Sequence, residues 1–141
     1  MPAITRRFLA TAAALLLLGI GIGLVLLVRR ELGGVWPHPG LVSAHTHLIL
    51  VGAVIQLIIG TAWWLFPRPA REEPQAPESM VRLAWWCLTL GTLSRAGAES
   101  GPAIGLGAWP LVAVTGGLLQ AAGLAAAVTA LRRRVRPGAV R

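Results

Sequence analysis

Charge is scarce in this chain, and it is one-sided. Only 13% of the 141 residues are charged, none is lysine or aspartate, and tyrosine is absent altogether. A water-soluble domain of this size does not tolerate 55% apolar residues at a mean hydropathy of +0.69, so the composition defines a membrane protein. The single cysteine, Cys87, excludes an intrachain disulfide and, inside an apolar run, reads as a small packing residue. With no aspartate, no nucleophile–base pair beside a histidine and no phosphate-binding loop, a soluble active site is excluded. A large transporter is excluded by length, because roughly 20 apolar residues are needed per helical crossing.

What the chain does have is arginine. All thirteen basic residues are arginines, and the formal charge of +8 would suit nucleic acid if they lined one surface. Instead Arg6, Arg7, Arg29, Arg30, Arg68, Arg71, Arg82, Arg95 and the tail from Arg132 flank apolar runs. A nucleic-acid partner is therefore not expected, and the basic charge records topology in a lipid bilayer. Four runs follow, at residues 8–28, 41–66, 80–98 and 109–131. Each is long enough to cross as a helix, the open-chain structure that satisfies its own backbone hydrogen bonds in lipid. The expectation is an all-α integral membrane protein: one domain, residues 1–141, forming a four-transmembrane-helix bundle. Thr5-Arg6-Arg7-Phe8-Leu9 loosely resembles a twin-arginine export signal, but the apolar run behind it is too long and ends in Arg29-Arg30-Glu31, so an uncleaved first helix is expected.

Four spans put both termini on one side. Ten arginines fall on the side of the termini and three, Arg29, Arg30 and Arg95, on the other. The positive-inside rule then makes both termini cytoplasmic in a cell (inner) membrane and turns the 36–40 and 95–110 loops outward. The proline-rich segment 67–77 reads as a cytoplasmic turn. Trp63, Trp64, Trp85 and Trp86 near one interface and Trp36 and Trp109 near the other form aromatic belts. Gly19 and Gly23 make a small-xxx-small pair in the first span, read as helix packing.

The second span carries the chemistry. It opens Ser43-Ala44-His45-Thr46-His47-Leu48, which holds two of the three histidines. An ionisable or metal-ligating side chain in an apolar span is costly, and so marks a functional site. At i and i+2 on a helix the two rings point about 200° apart, so they cannot clip one metal ion together. They serve two sites, or one site shared between neighbouring chains. Below His45 the same face runs through Leu48, Ile49, Gly52, Gln56 and Ile59. Gly52, two turns below His45, is expected to open a flat slot beside the imidazole.

The string Ala44-His45-Thr46-His47-Leu48-Ile49-Leu50-Val51-Gly52 resembles the start of the second helix in the catalytic subunit of the heme-copper oxidase superfamily, in its nitric-oxide reductase and C-type oxidase branch. It is also similar to short four-span relatives of that subunit, whose second helix closes with an aromatic–proline pair like Phe66-Pro67. The resemblance covers about 25 residues, from Ser43 to Arg68. It implies that His45 is an axial ligand of a heme near the outer face. Because the family's subunit repeats a group of four helices three times, and one group carries a His-x-His pair facing two hemes, the resemblance implies a homo-oligomer, most simply a trimer. Heme b would lie between chains, with His45 of one protomer and His47 of the next as its metal ligands. The family's copper-binding histidines and cross-linked tyrosine have no counterpart here.

Bis-histidine ligation suits electron transfer with an unknown redox partner, whereas an open iron position would suit binding or reduction of a small gas such as nitric oxide or oxygen. Arg95 is the candidate partner of the heme propionates, with an ion pair to Glu99 as the plainer role. His38, between two prolines, reads as a loop residue or as a sixth ligand. Met80 and Cys87 lie at the wrong end to be ligands. A cofactor-free assembly subunit of a respiratory complex and a metal site built from histidines of several chains are the remaining alternatives.

Overall fold

The computed structural model describes residues 1–66, 77–132 and 134. The proline-rich segment expected at 67–77, except Pro77, and most of the arginine tail lie outside these residues. The chain is all-helical, with no strand among the described residues. Helix α1 spans Ala3–Glu31, α2 spans Pro39–Leu65, α3 spans Glu78–Ser100 and α4 spans Pro110–Arg132. A 3₁₀ turn, Gly101–Ile104, follows α3.

The helices overrun the apolar stretches that announce them. Helix α1 continues through Arg29 and Arg30 in its last turn. Arginine is a good helix former, and its charge is favourable at a helix C-terminus. Helix α2 begins with Pro39 at its first position, where a missing N–H costs nothing. Its central residues Leu48–Ile55 are wound as π-helix. At its start the Leu48 N–H is shared between the Ala44 and His45 carbonyls, and the wider π-turns follow below the histidines.

Successive helices run antiparallel. Phe8 packs on Gly60, Leu15 on Gly52, Gly19 on Leu48 and Ile49, and Gly23 on His45, so one residue number rises as the other falls. Helix α3 pairs with α4 through facing glycines: a Cβ on Gly91 would stand 2.7 Å from the Gly116 carbonyl oxygen, and one on Gly116 2.9 Å from that of Gly91. Only residues without side chains let two helix backbones approach so closely. The core at the N-terminal end gathers Phe8, Ile59, Trp63, Val81, Leu88 and their neighbours, and a smaller cluster of Leu15, Ala44, Leu48 and Ala96 lies toward the histidines.

Three helices, α1, α2 and α4, are long and apolar enough to cross a membrane. Helix α3 matches α4 in length, at 23 residues. Charges near its ends and the buried Thr89 and Thr92 lower its hydropathy, yet Leu83, Trp86, Leu90 and Leu93 form an exposed apolar stripe at helical spacing. Exposed leucines and valines likewise cover the outer faces of α1, α2 and α4. Such a surface is the reverse of what water selects.

Candidate functional site

His45 and His47 leave α2 toward different neighbours. The His45 ring rests on α1, where Gly23 leaves room: a Cβ there would stand 2.5 Å from the ring's Cε1 and 2.9 Å from Nδ1. Its Nδ1 is 2.8 Å from the carbonyl oxygen of Gly19. A carbonyl oxygen only accepts, so Nδ1 carries the proton and donates it, and Nε2 of the neutral ring keeps the lone pair. The small-xxx-small pair of α1 therefore makes a bed for an imidazole as well as a helix contact. The ring is partly exposed and opens onto a groove of about 200 Å³ between α1 and α2.

His47 turns to α3. Its Nδ1 is 2.9 Å from the Ser43 carbonyl oxygen, one turn back, so the same reasoning makes Nδ1 the donor and Nε2 the base. Glu99 stands beside it, with Oε2 at 3.6 Å from Nδ1, too far for a hydrogen bond. Among the described residues, Nε2 of neither ring makes a protein hydrogen bond.

His38 has the opposite pattern. Its Nδ1 accepts the Gly40 N–H at 3.1 Å as the N-cap of α2, so in the neutral ring the lone pair is already used. This assigns His38 to capping and leaves His45 and His47 as the rings with a free base.

Two residues singled out in the sequence sit away from the His45 groove. A Cβ on Gly52 would meet Leu15 Cδ1 at 2.9 Å and Thr92 Cγ2 at 3.0 Å. The slot expected beside the imidazole is thus filled by these side chains, where α2 packs on α1 and α3. Arg95 lies on α3 against Gly117 of α4 and donates from Nε to Glu99 Oε1 at 2.7 Å, the ion pair of its plainer reading. The arginine that lines the His45 groove is Arg30. Nothing in the sequence alone marked it for this position, since only the packing of α1 on α2 brings the two together.

Buried polar groups continue down the bundle. Gln56 is fully buried and donates to Thr89 Oγ1 at 3.4 Å, while its Oε1 has no partner among the described residues; Gln120 donates to Thr92 Oγ1 at 3.2 Å. No group of three or more His, Cys, Asp or Glu side chains able to hold a metal occurs among the described residues. No protein-family model, curated protein or solved structure matches the chain.

Proposed function

We propose that this protein is a heme b-binding electron-transfer protein of the cell (inner) membrane, related to one four-helix third of a heme-copper oxidase catalytic subunit. The observation that carries the reading is the hydrogen bond from His45 Nδ1 to the Gly19 carbonyl. Metal-bound histidines characteristically donate their other ring nitrogen to a carbonyl or carboxylate, which fixes the tautomer and orients the ring. The donor set fits a heme: an imidazole whose Nε2 makes no hydrogen bond among the described residues, an apolar wall of Leu26, Leu27 and Val42, and a cation at the groove's edge.

A groove of about 200 Å³ is smaller than the roughly 300–1,000 Å³ of a complete small-molecule site, so a second surface is needed to enclose the ligand. A homo-oligomer, most simply a trimer, would supply it, with His47 of a neighbouring copy as the second ligand. The iron, when bound, contributes one-electron redox chemistry. His45, and His47 of a neighbouring copy, would hold it. Mixed oligomers test the sharing directly. His45→Ala and His47→Ala chains, each colourless alone, should regain pigment when coexpressed, and failure to do so would overturn ligation between chains. A shift of the reduced spectrum on adding carbon monoxide would favour an open gas-binding position. A colourless, monomeric wild-type protein would overturn the heme reading in favour of a cofactor-free packing role.

The same reading makes all four helices spans, with both termini cytoplasmic. The apolar stripe on α3 and the imbalance of arginines support it. Single cysteines in a Cys87→Ser background provide the test: one at Val35 should react with a membrane-impermeant maleimide from outside intact cells, and one at residue 75 only after lysis. The reverse pattern would contradict the orientation.

A further inference from the structure

Arg30 shares the open groove with His45. Gly23, Leu27 and Val42 contribute to the apolar wall, and His45 and Arg30 are its two polar side chains. The imidazole rests on Gly23, and Arg30 lies seven residues further along α1. Seven residues are close to two turns, so both face the same side, about 10 Å apart along the helix axis. The Arg30 guanidinium lies 5.1 Å from the centre of the Trp36 ring and 3.3 Å from the Glu31 carboxylate, and its side chain is 54% exposed. It is steadied, yet has N–H groups to spare. Arg29, one residue earlier, opens onto a separate cavity of about 240 Å³ beyond Leu26 and Pro37.

A ring nitrogen on one side, an apolar wall and a cation two turns toward the end of the bundle suit an amphipathic ligand that carries carboxylates along one edge. We propose that Arg30 binds a propionate carboxylate of the heme held by His45, the part the sequence had suggested for Arg95. The assignment rests on the heme reading. Its physical basis is position: Arg30 lines the groove onto which His45 opens, whereas Arg95 lies on α3 against α4, away from it.

The test titrates hemin and hemin dimethyl ester, which lacks free carboxylates, into the full-length protein in detergent while the visible spectrum is read. Arg30→Gln should bind hemin about fivefold more weakly than wild type, as an exposed ion pair allows. Arg30→Lys should fall between, because lysine keeps the charge without the planar fork. Arg6→Gln, which removes the same charge at the opposite end, should bind as wild type does. The dimethyl ester should bind wild type and Arg30→Gln equally, and that equality also reports an intact fold. If Arg30→Gln and Arg6→Gln bind hemin alike, or if Arg30→Gln loses ester and hemin in equal measure, the assignment is wrong while the heme reading stands. If wild type takes up neither compound, both fail.

Discussion

The bed that α1 makes for His45 can be broken with one methyl group. In Gly23→Ala, the new Cβ would stand 2.5 Å from the ring's Cε1. Ordinary carbon contacts are about 3.5–4.0 Å, so the ring must retreat by about 1 Å. That movement carries Nδ1, now 2.8 Å from the Gly19 carbonyl, beyond hydrogen-bonding distance. An interhelical hydrogen bond in a membrane is worth about 0.6–2 kcal/mol, and overpacking costs about 1–3 kcal/mol, which together predict a loss of about 2–5 kcal/mol. Gly21→Ala is the control, because a Cβ there meets nothing within 4 Å. Both substitutions gain the same helix propensity, so their difference isolates the contact with the ring. Unfolding by sodium dodecyl sulfate in mixed micelles, followed by far-ultraviolet circular dichroism, measures that difference. Variants that agree within about 0.5 kcal/mol would refute the packing of His45 on Gly23.

The Arg95–Glu99 pair can be weighed by a double-substitution cycle with Arg95→Gln and Glu99→Gln, read by the same unfolding assay. Residues in direct contact couple by about 0.5–3 kcal/mol, and additive effects would mean that the 2.7 Å contact contributes nothing. Gln56→Met should leave stability unchanged or raise it, since the amide makes one long hydrogen bond and buries an unpartnered oxygen. Gln56→Ala should lose about 2–5 kcal/mol by opening a cavity, as other large-to-alanine core substitutions do. If Gln56→Met is as damaging as Gln56→Ala, the buried amide has a role beyond filling space.

Much of the fold was legible because lipid-facing helices announce themselves by long apolar runs. Segments expected at 8–28, 41–66, 80–98 and 109–131 are helices with ends displaced by a few residues, since charge marks where apolar sequence stops, not where helical backbone does. The inward face of α2 was also readable: Leu48, Gly52, Gln56 and Ile59 are all buried. The divergence of His45 and His47 followed from helical geometry alone. What sequence could not supply was which neighbour each face meets. Gly52 lies against Leu15 and Thr92, while Gly23, on another helix, touches the imidazole. Arg30 reaches the groove for the same reason. The π-helical stretch at Leu48–Ile55 had no marker, since its apolar residues suit α-helix equally well.

On the proposed function, Nε2 of His45 holds heme iron. The most direct measurement is the heme-to-chain ratio of wild-type and His45→Ala protein, purified in detergent from heme-supplied cells and assayed as the reduced pyridine complex. Wild-type protein should carry stoichiometric pigment, and His45→Ala should lose it with the helical content retained. Colourless wild-type protein, or full pigment in His45→Ala, would contradict the proposal.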